Sequence, residues 1–344
     1  MLALVALLSS CGKPSGPQTP PGNVRSKRVV GGTGHCAHLE IKGEASLLDD
    51  RLHIPTLVGM GDTPKAFNVM NAPEPAAEET RLIRDEGGKF VVYVHETWQT
   101  DPGPKPVAVK LQGRDDPTVV GPTSVELPKY LKAVRHLDDA KPFSVSDAKV
   151  RVFAGRPQSY EADHEKALVL GALIIPPDGA IVAIEFYVSP ELADASCTTL
   201  AEQMLEGLTA GKRHLQRGAG VRALGSTGYT ITVPEDSVVT HKPAHDFESF
   251  NIYRLRPLGL FPGHALILFD NYDGPKPDGA EGRKGALLGQ PVTYLGEVAD
   301  RGGHLEAVIG LKKPGFSFLH VQIVATREGR FVGEFAKIVE SLAR

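Results

Sequence analysis

The sequence predicts an α+β protein of two tandem domains, each an antiparallel β-sheet packed by a C-terminal helix. Three observations lead there. Residues 310–344 read as an apolar strand, a turn at Arg327, Glu328 and Gly329, and an amphipathic terminal helix. Residues 171–210 carry the same order earlier in the chain. The segments before each stretch recur as well: a strand ending in Pro, a hairpin, a strand, then a second hairpin. A single α+β domain whose strands happen to recur is the alternative reading of this pattern.

Folded structure is expected from Val29 or Cys36. Residues 51–55 form a short strand ending at Pro55. Residues 80–84 and 90–96 make a hairpin across Asp85, Glu86, Gly87 and Gly88, a turn with two glycines. A long polar segment follows over 100–142, with a strand-like piece at 107–111 and a short helical piece at 128–137. Residues 149–153 are a strand. Residues 168–175 and 180–188 are a second hairpin over Pro176, Pro177, Asp178 and Gly179. Asp194 or Ser196 can then cap a helix that places Leu200, Met204, Leu205 and Leu208 on one face.

Residues 212–227 are Gly-rich and basic and read as a linker. The second copy begins with a strand over 229–234, whose Pro234 answers Pro55. Residues 250–254 and 264–269 match the first hairpin, 292–295 the lone strand, and 305–311 with 316–325 the second hairpin. Phe331, Phe335, Ile338, Val339 and Leu342 then recur at helical spacing. The expected boundaries are 29–211 and 228–344 for the two domains. The long strands of each second hairpin, apolar at both parities, are expected at the sheet centres.

A chain of 344 residues can bury two ordinary cores. A net charge of −3 gives no global field for nucleic acid or an anionic membrane. Residues 1–8 are almost wholly apolar, but far too few to span a bilayer. Leu8, Ser9, Ser10, Cys11 and Gly12 follow, and this resembles the lipobox of bacterial lipoproteins. The resemblance implies a signal peptide over residues 1–11, cleavage before Cys11 and an acylated Cys11 thiol. One feature departs from the pattern: no Lys or Arg precedes the apolar run. Residues 12–28, rich in Pro, Gly and Ser, lack the apolar surface to fold and read as a tether. Gly12 carries no Asp-type retention signal. The expected address is therefore the periplasmic side of a Gram-negative outer membrane, with the lipid as membrane anchor. In that compartment Cys36 and Cys197 form an even pair. They are either bridged, which is the expectation, or two separately buried thiols.

Several polar groupings bear on chemistry. His35, Cys36 and His38 include good zinc ligands, but no second ligand pair has metal spacing. His241, His245 and Asp246 lie within six residues on a loop with an intervening Pro, and read as solvated. Asp270, Asp273, Asp278 and Glu281 are acidic enough to suggest calcium. They miss the EF-hand spacing, and Lys276 and Arg283 intrude. No nucleophile elbow, P-loop or Rossmann fingerprint is present. Trp98, the sole Trp, stands at a strand end beside His95 and Glu96. The trio is either a binding surface or an aromatic closing a core. Asp270, Tyr272 and Asp273 mark a second candidate surface, in a loop that differs between the copies. No metal, cofactor or catalytic residue is expected, and the weight falls on binding rather than catalysis.

Each half also resembles the PsbP-like fold, an antiparallel sheet with a long C-terminal helix found in exported bacterial lipoproteins. The Val233–Pro234 strand end, the strand over 265–270 and the closing helix over 331–342 carry the likeness. Two such halves after a lipobox, with Cys36 shortly before the first strand, are similar to immunity proteins that neutralise type VI secreted lipase effectors. The resemblance implies a non-enzymatic, lipid-anchored periplasmic protein whose two halves grip a protein partner. No partner-binding residue carries over. Two other functions remain open: an envelope carrier or assembly factor for a lipid or small hydrophobic ligand, and an uncharacterised hydrolase.

Overall fold

The computed structural model describes residues 33–57, 61–63, 80–84, 89–100, 108–109, 119–120, 137–157, 162–163, 166–243, 246–257, 263–271, 277, 279–300, 302–312, 315–325 and 329–344. The chain is mainly β, built from antiparallel sheets with two α-helices among the described residues.

The first half runs through β1 (Ile41–Leu47), β2 (Leu52–Leu57), β3 (Gly61–Thr63), β4 (Thr80–Arg84), β5 (Phe90–Thr100), β6 (Ala108–Val109), β7 (Val119–Val120), β8 (Leu137–Phe143), β9 (Arg151–Pro157), β10 (Ala162–Asp163), β11 (Lys166–Ile175), β12 (Ala180–Val188), α1 (Ala195–Glu206) and β13 (Thr209–Ala210). The second runs through β14 (Gly220–Leu224), β15 (Tyr229–Val233), β16 (Ser237–Pro243), β17 (Phe247–Arg254), β18 (Arg256–Pro257), β19 (His264–Asp270), β20 (Glu281–Leu287), β21 (Gln290–Ala299), β22 (Gly302–Gly310), β23 (Phe318–Ala325) and α2 (Arg330–Val339).

The large sheet of the first half is ordered β3-β4-β5-β12-β11-β9-β8. That of the second is ordered β16-β17-β19-β23-β22-β21-β20. In each, the strand that precedes the helix is central, as its apolar sequence demands. β11 and β12 are buried along nearly their whole length, whereas β22 and β23 alternate, with one face only half-buried. The β11–β12 turn closes on Gly179, whose φ of 76° suits glycine and whose amide donates to Pro176 O at 2.9 Å.

Each helix lies over one face of its sheet, beside a small ribbon. α1 packs on β11 and β2, and the β1–β2 hairpin is extended by β13. α2 packs on β23, β22, β19 and β15. Beyond it, Ala343 exchanges both backbone hydrogen bonds with Thr230 of β15. The inner cores follow from these layers. Val92, Val94, Ile174, Ile184, Leu200 and Met204 meet in one; Ile252, Ile267, Val321, Ile323, Phe335 and Val339 meet in the other. A further apolar cluster, Leu137, Phe153, Leu173, Ile175, Ile181 and Ala183, lies on the opposite face of the first sheet.

Asp194 caps α1, accepting from the Ser196 and Cys197 amides at 2.8 and 3.2 Å. Burial alone would raise its carboxyl, but the Ser196 hydroxyl and the amides of His35, Cys197 and Ser196 bring it down to about 2. Cys36 and Cys197 are bridged, which ties the start of the described chain to the first turn of α1.

The α+β expectation gives way to a mainly β protein, because the sequence reading passed over several strands. β1, β8, β14, β16 and β20 escape it. Each is an outermost strand of its sheet. Several carry mixed polar sequences, as Glu281–Leu287 (EGRKGAL) does, and show no clean alternation. β14 falls within residues 212–227, the stretch read as a linker, and pairs along its length with β15. Leu137 opens β8; the rest of the helical piece expected over 128–137 lies outside the described residues, as does most of 100–142.

Candidate functional site

Trp98 is not on a surface. It is 2% exposed and joins the two halves. The pairing of β12 with β5 shifts register between Ala180–Thr100 and Val182–Glu96, a bulge that takes in Thr97, Trp98 and Gln99. The Thr97 hydroxyl donates to Ile181 O at 2.8 Å, and the Gln99 amide donates back to Thr97 Oγ1 at 3.3 Å. The bulge puts Trp98 at a φ of 52°, a left-handed conformation a bulky residue rarely adopts. The side chain is thereby re-aimed onto Tyr253 of β17, ring centroids 4.3 Å apart and planes 9° from parallel. Val238 and Leu255 complete the cluster, and Leu215 packs against it. Just beyond, β18 pairs in parallel with β5, Arg256 opposite Gln99 and Pro257 opposite Thr100.

A buried ionic group supports this seam. Arg51, Glu96 and Asp178 are 5%, 6% and 4% exposed at their side chains. Arg51 Nε and Nη2 donate to Asp178 at 2.8 and 3.3 Å, while Nη1 donates to Glu96. Asp178 also accepts from the Ala180 and Leu215 amides, both at 3.0 Å. Burial would raise the Asp178 carboxyl. The hydrogen bonds and charge of Arg51, with the two amides, hold it below its ordinary value. Burial would lower the Arg51 guanidinium, and Asp178 and Glu96 keep it raised. The chain leaving the first half is thus tied down before it reaches the seam. Gly211 N donates to Arg51 O at 2.9 Å and Arg213 N to Asp50 O at 3.0 Å. Gly211 has to be glycine here, since a Cβ would sit 1.9 Å from Asp50 O.

On the second half, Arg254 and Arg256 share Asp236 and Glu334. Arg254 Nε reaches Asp236 at 2.7 Å, and Arg254 Nη1 reaches Glu334 at 3.1 Å. Arg256 donates to Glu334 at 3.3 Å and also to Asp236. This links α2 to β18 and so to the seam.

Among the described residues His95, His241 and His320 each face a carboxylate, and two of them also lie against an aromatic ring. His95 Nε2 lies 3.5 Å from Glu185 Oε2, which accepts from the Tyr187 hydroxyl at 3.2 Å, and Tyr93 stacks on the imidazole. His320 meets Glu306, which also accepts from Gln322 at 3.3 Å. His241 stacks on Phe250 and sits 3.1 Å from Glu248. The Ser226 hydroxyl bonds to that same Glu248 rather than to the imidazole, so no activated serine results.

The remaining sequence candidates are dispersed. His35 binds Asp194 through its amide at 2.8 Å, His38 is exposed, and the Cys36 sulfur is spent in the disulfide. Among the described residues no group of three or more His, Cys, Asp or Glu is placed to hold a metal. Asp270 ends β19, with its carbonyl accepting from Ser317 N at 2.9 Å. His245, Tyr272, Asp273 and Asp278 lie outside the described residues, and Asp246 and Glu281 are exposed. Sequence reasoning missed Arg51, Asp178, Glu185 and Tyr253. Asp178 passed as a turn residue. Arg51 carried one signal, an Arg directly before a strand of otherwise apolar character.

No family model matches the chain, and no curated protein matches it. A solved structure described as the complex structure of Pseudomonas aeruginosa MucA/MucB is similar over 76% of this chain and 87% of its own, at 11% identity. Its TM-score is 0.17, and a likeness that loose carries no argument about fold or partner.

Proposed function

We propose that this is a non-enzymatic, lipid-anchored protein of the bacterial periplasm, built of two PsbP-like domains, that binds a protein partner. The observation that carries the reading is the Cys36–Cys197 disulfide, a bond across a separation of 161 residues that belongs to an oxidising compartment. It agrees with the lipobox-like stretch ending at Cys11. The strand orders of the two large sheets, each with a helix and a ribbon on one face, support the tandem arrangement. The buried contact of Trp98 with Tyr253 between the halves supports binding, since a preorganised surface loses little entropy on association. The carboxylate contacts of His95, His241 and His320, with the Ser226 hydroxyl turned to Glu248, favour binding over hydrolysis.

A secreted lipase is the partner class to test first. The full chain would be used to capture the product of the neighbouring gene, and lipase turnover would be measured with and without it. Stoichiometric capture with loss of turnover supports the reading. Absence of capture together with unprotected cells would sink it.

A further inference from the structure

The two large sheets end differently beside their helices. In the first half the β8–β9 connection, residues 144–150, folds onto the end of α1. The Ser146 amide and hydroxyl donate to Glu206 O at 2.7 and 2.9 Å, and Ala210 N donates to Asp147 Oδ2 at 3.0 Å. These bonds close the space between sheet edge and helix end. The β20–β21 hairpin holds the same place in the second strand order. Its turn is only Leu288 and Gly289, at φ of 51° and 74°. A turn so short cannot cross to α2, and the space stays open.

The opening is a cleft of about 500 Å³ lined by Leu288, Gln290, Leu311, Lys312, Leu342 and Arg344, with the backbone of Gly289 and Ala343 between them. That volume suits a small organic ligand. The lining divides into two chemistries. Leu288, Leu311 and Leu342 are apolar; Lys312 and Arg344 have cationic side chains; no lining side chain is acidic. Arg344 is positioned by the ring of Tyr229, 5.8 Å from its guanidinium carbon. Glu340, on the same end of α2, is taken by Arg283 at 2.6 and 3.2 Å. Among the described residues neither Lys312 nor Arg344 has a carboxylate partner.

We infer that this cleft binds a small anionic amphiphile, its carboxylate or phosphate head on Lys312 and Arg344 and its hydrocarbon on the three leucines. Two cations beside an apolar wall match such a ligand, whereas a neutral or cationic amphiphile leaves both charges unmet. This stands independently of the protein-partner reading, because its readout needs no partner.

The test is isothermal titration of the full chain with decanoate, decyl phosphate, decyl maltoside and decyltrimethylammonium, each below its micelle-forming concentration. Saturable binding of one molecule of either anion is expected, with the neutral and cationic ligands at least about tenfold weaker. The carboxylate and phosphate arms decide which head group is preferred. K312E with R344E should weaken the anions by at least about tenfold while leaving the melting temperature unchanged, because both side chains are exposed. Putting residues 144–150 in place of Leu288 and Gly289 should abolish binding by filling the cleft. No saturable binding of either anion to the native chain, equal affinity for the cationic ligand, or affinities untouched by the charge reversals would each overturn the inference.

Discussion

Replacing Trp98 with Ala removes the side chain that joins the halves. Truncating a buried Trp or Phe to Ala costs about 3–5 kcal/mol. Trp98, at 2% exposure, belongs in that class. Of this, roughly 0.5–1.5 kcal/mol is specific to the aromatic pairing with Tyr253. The left-handed backbone adds a second term, because a φ of 52° costs a non-glycine residue about 1–2 kcal/mol. Trp98→Gly should therefore destabilise no more than Trp98→Ala, the reverse of the usual order in a strand. The assay is urea unfolding by circular dichroism for Trp98→Ala, Tyr253→Ala and the double variant. A coupling energy of about 0.5–1.5 kcal/mol is expected. In the native chain, fluorescence follows the seam directly, since Trp98 is the only Trp. A cost under about 1 kcal/mol, or effects of the two single variants that add within about 0.3 kcal/mol, would refute the reasoning.

Reduction of Cys36–Cys197 opens a loop of 161 residues, for which chain entropy allows up to about 5 kcal/mol; a fall in melting temperature on adding reductant, absent in a Cys36→Ala, Cys197→Ala variant, checks it. Arg51→Met leaves Glu96 and Asp178 as buried charges without their cation. It should cost about 3–5 kcal/mol and speed proteolysis between Gly211 and Gly220, read by denaturation and mass mapping. His53 stands between Asp50 at 2.6 Å and Glu44 at 2.9 Å. Burial would lower its imidazole, but the hydrogen bonds and charges of those two carboxylates raise it above 6.5. A raised histidine gives stability that is complete below 6.5 and lost as pH climbs through the folded value. Hydrogen exchange in β1 and β2 should therefore quicken with pH beyond the intrinsic rate above 6.5, and His53→Gln should remove that excess.

What could be read from the chain follows from where each residue sits. β11 and β12, apolar at both parities, announce a sheet centre. The stripe of Phe331, Phe335, Ile338 and Val339 announces a helix over a sheet. Asp194 was legible as a cap because its side chain acts on amides two and three residues away. The outermost strands were not legible, since Glu281, Arg283 and Lys284 keep one edge soluble and blur the alternation. The seam was hidden for a different reason. Trp98 at a strand end could be read either as part of a binding surface or as an aromatic closing a core, and only a bulge with positive φ, set by register against β12, decides for the core by turning it inward. Tyr253 is as distant in sequence as the pairing of halves requires, and no local pattern names it. Glu185, beside His95, is legible only once β12 is known to lie against β5.

We propose an exported, lipid-anchored chain stabilised by one disulfide. Intact mass spectrometry of the protein extracted from its own membranes, alkylated before and after reduction, tests it in one experiment. The expected result is a chain that begins at a diacylglyceryl-modified Cys11, with Cys36 and Cys197 alkylated only after reduction. A chain that begins at Met1, unacylated and with Cys36 and Cys197 alkylated before reduction, would contradict it.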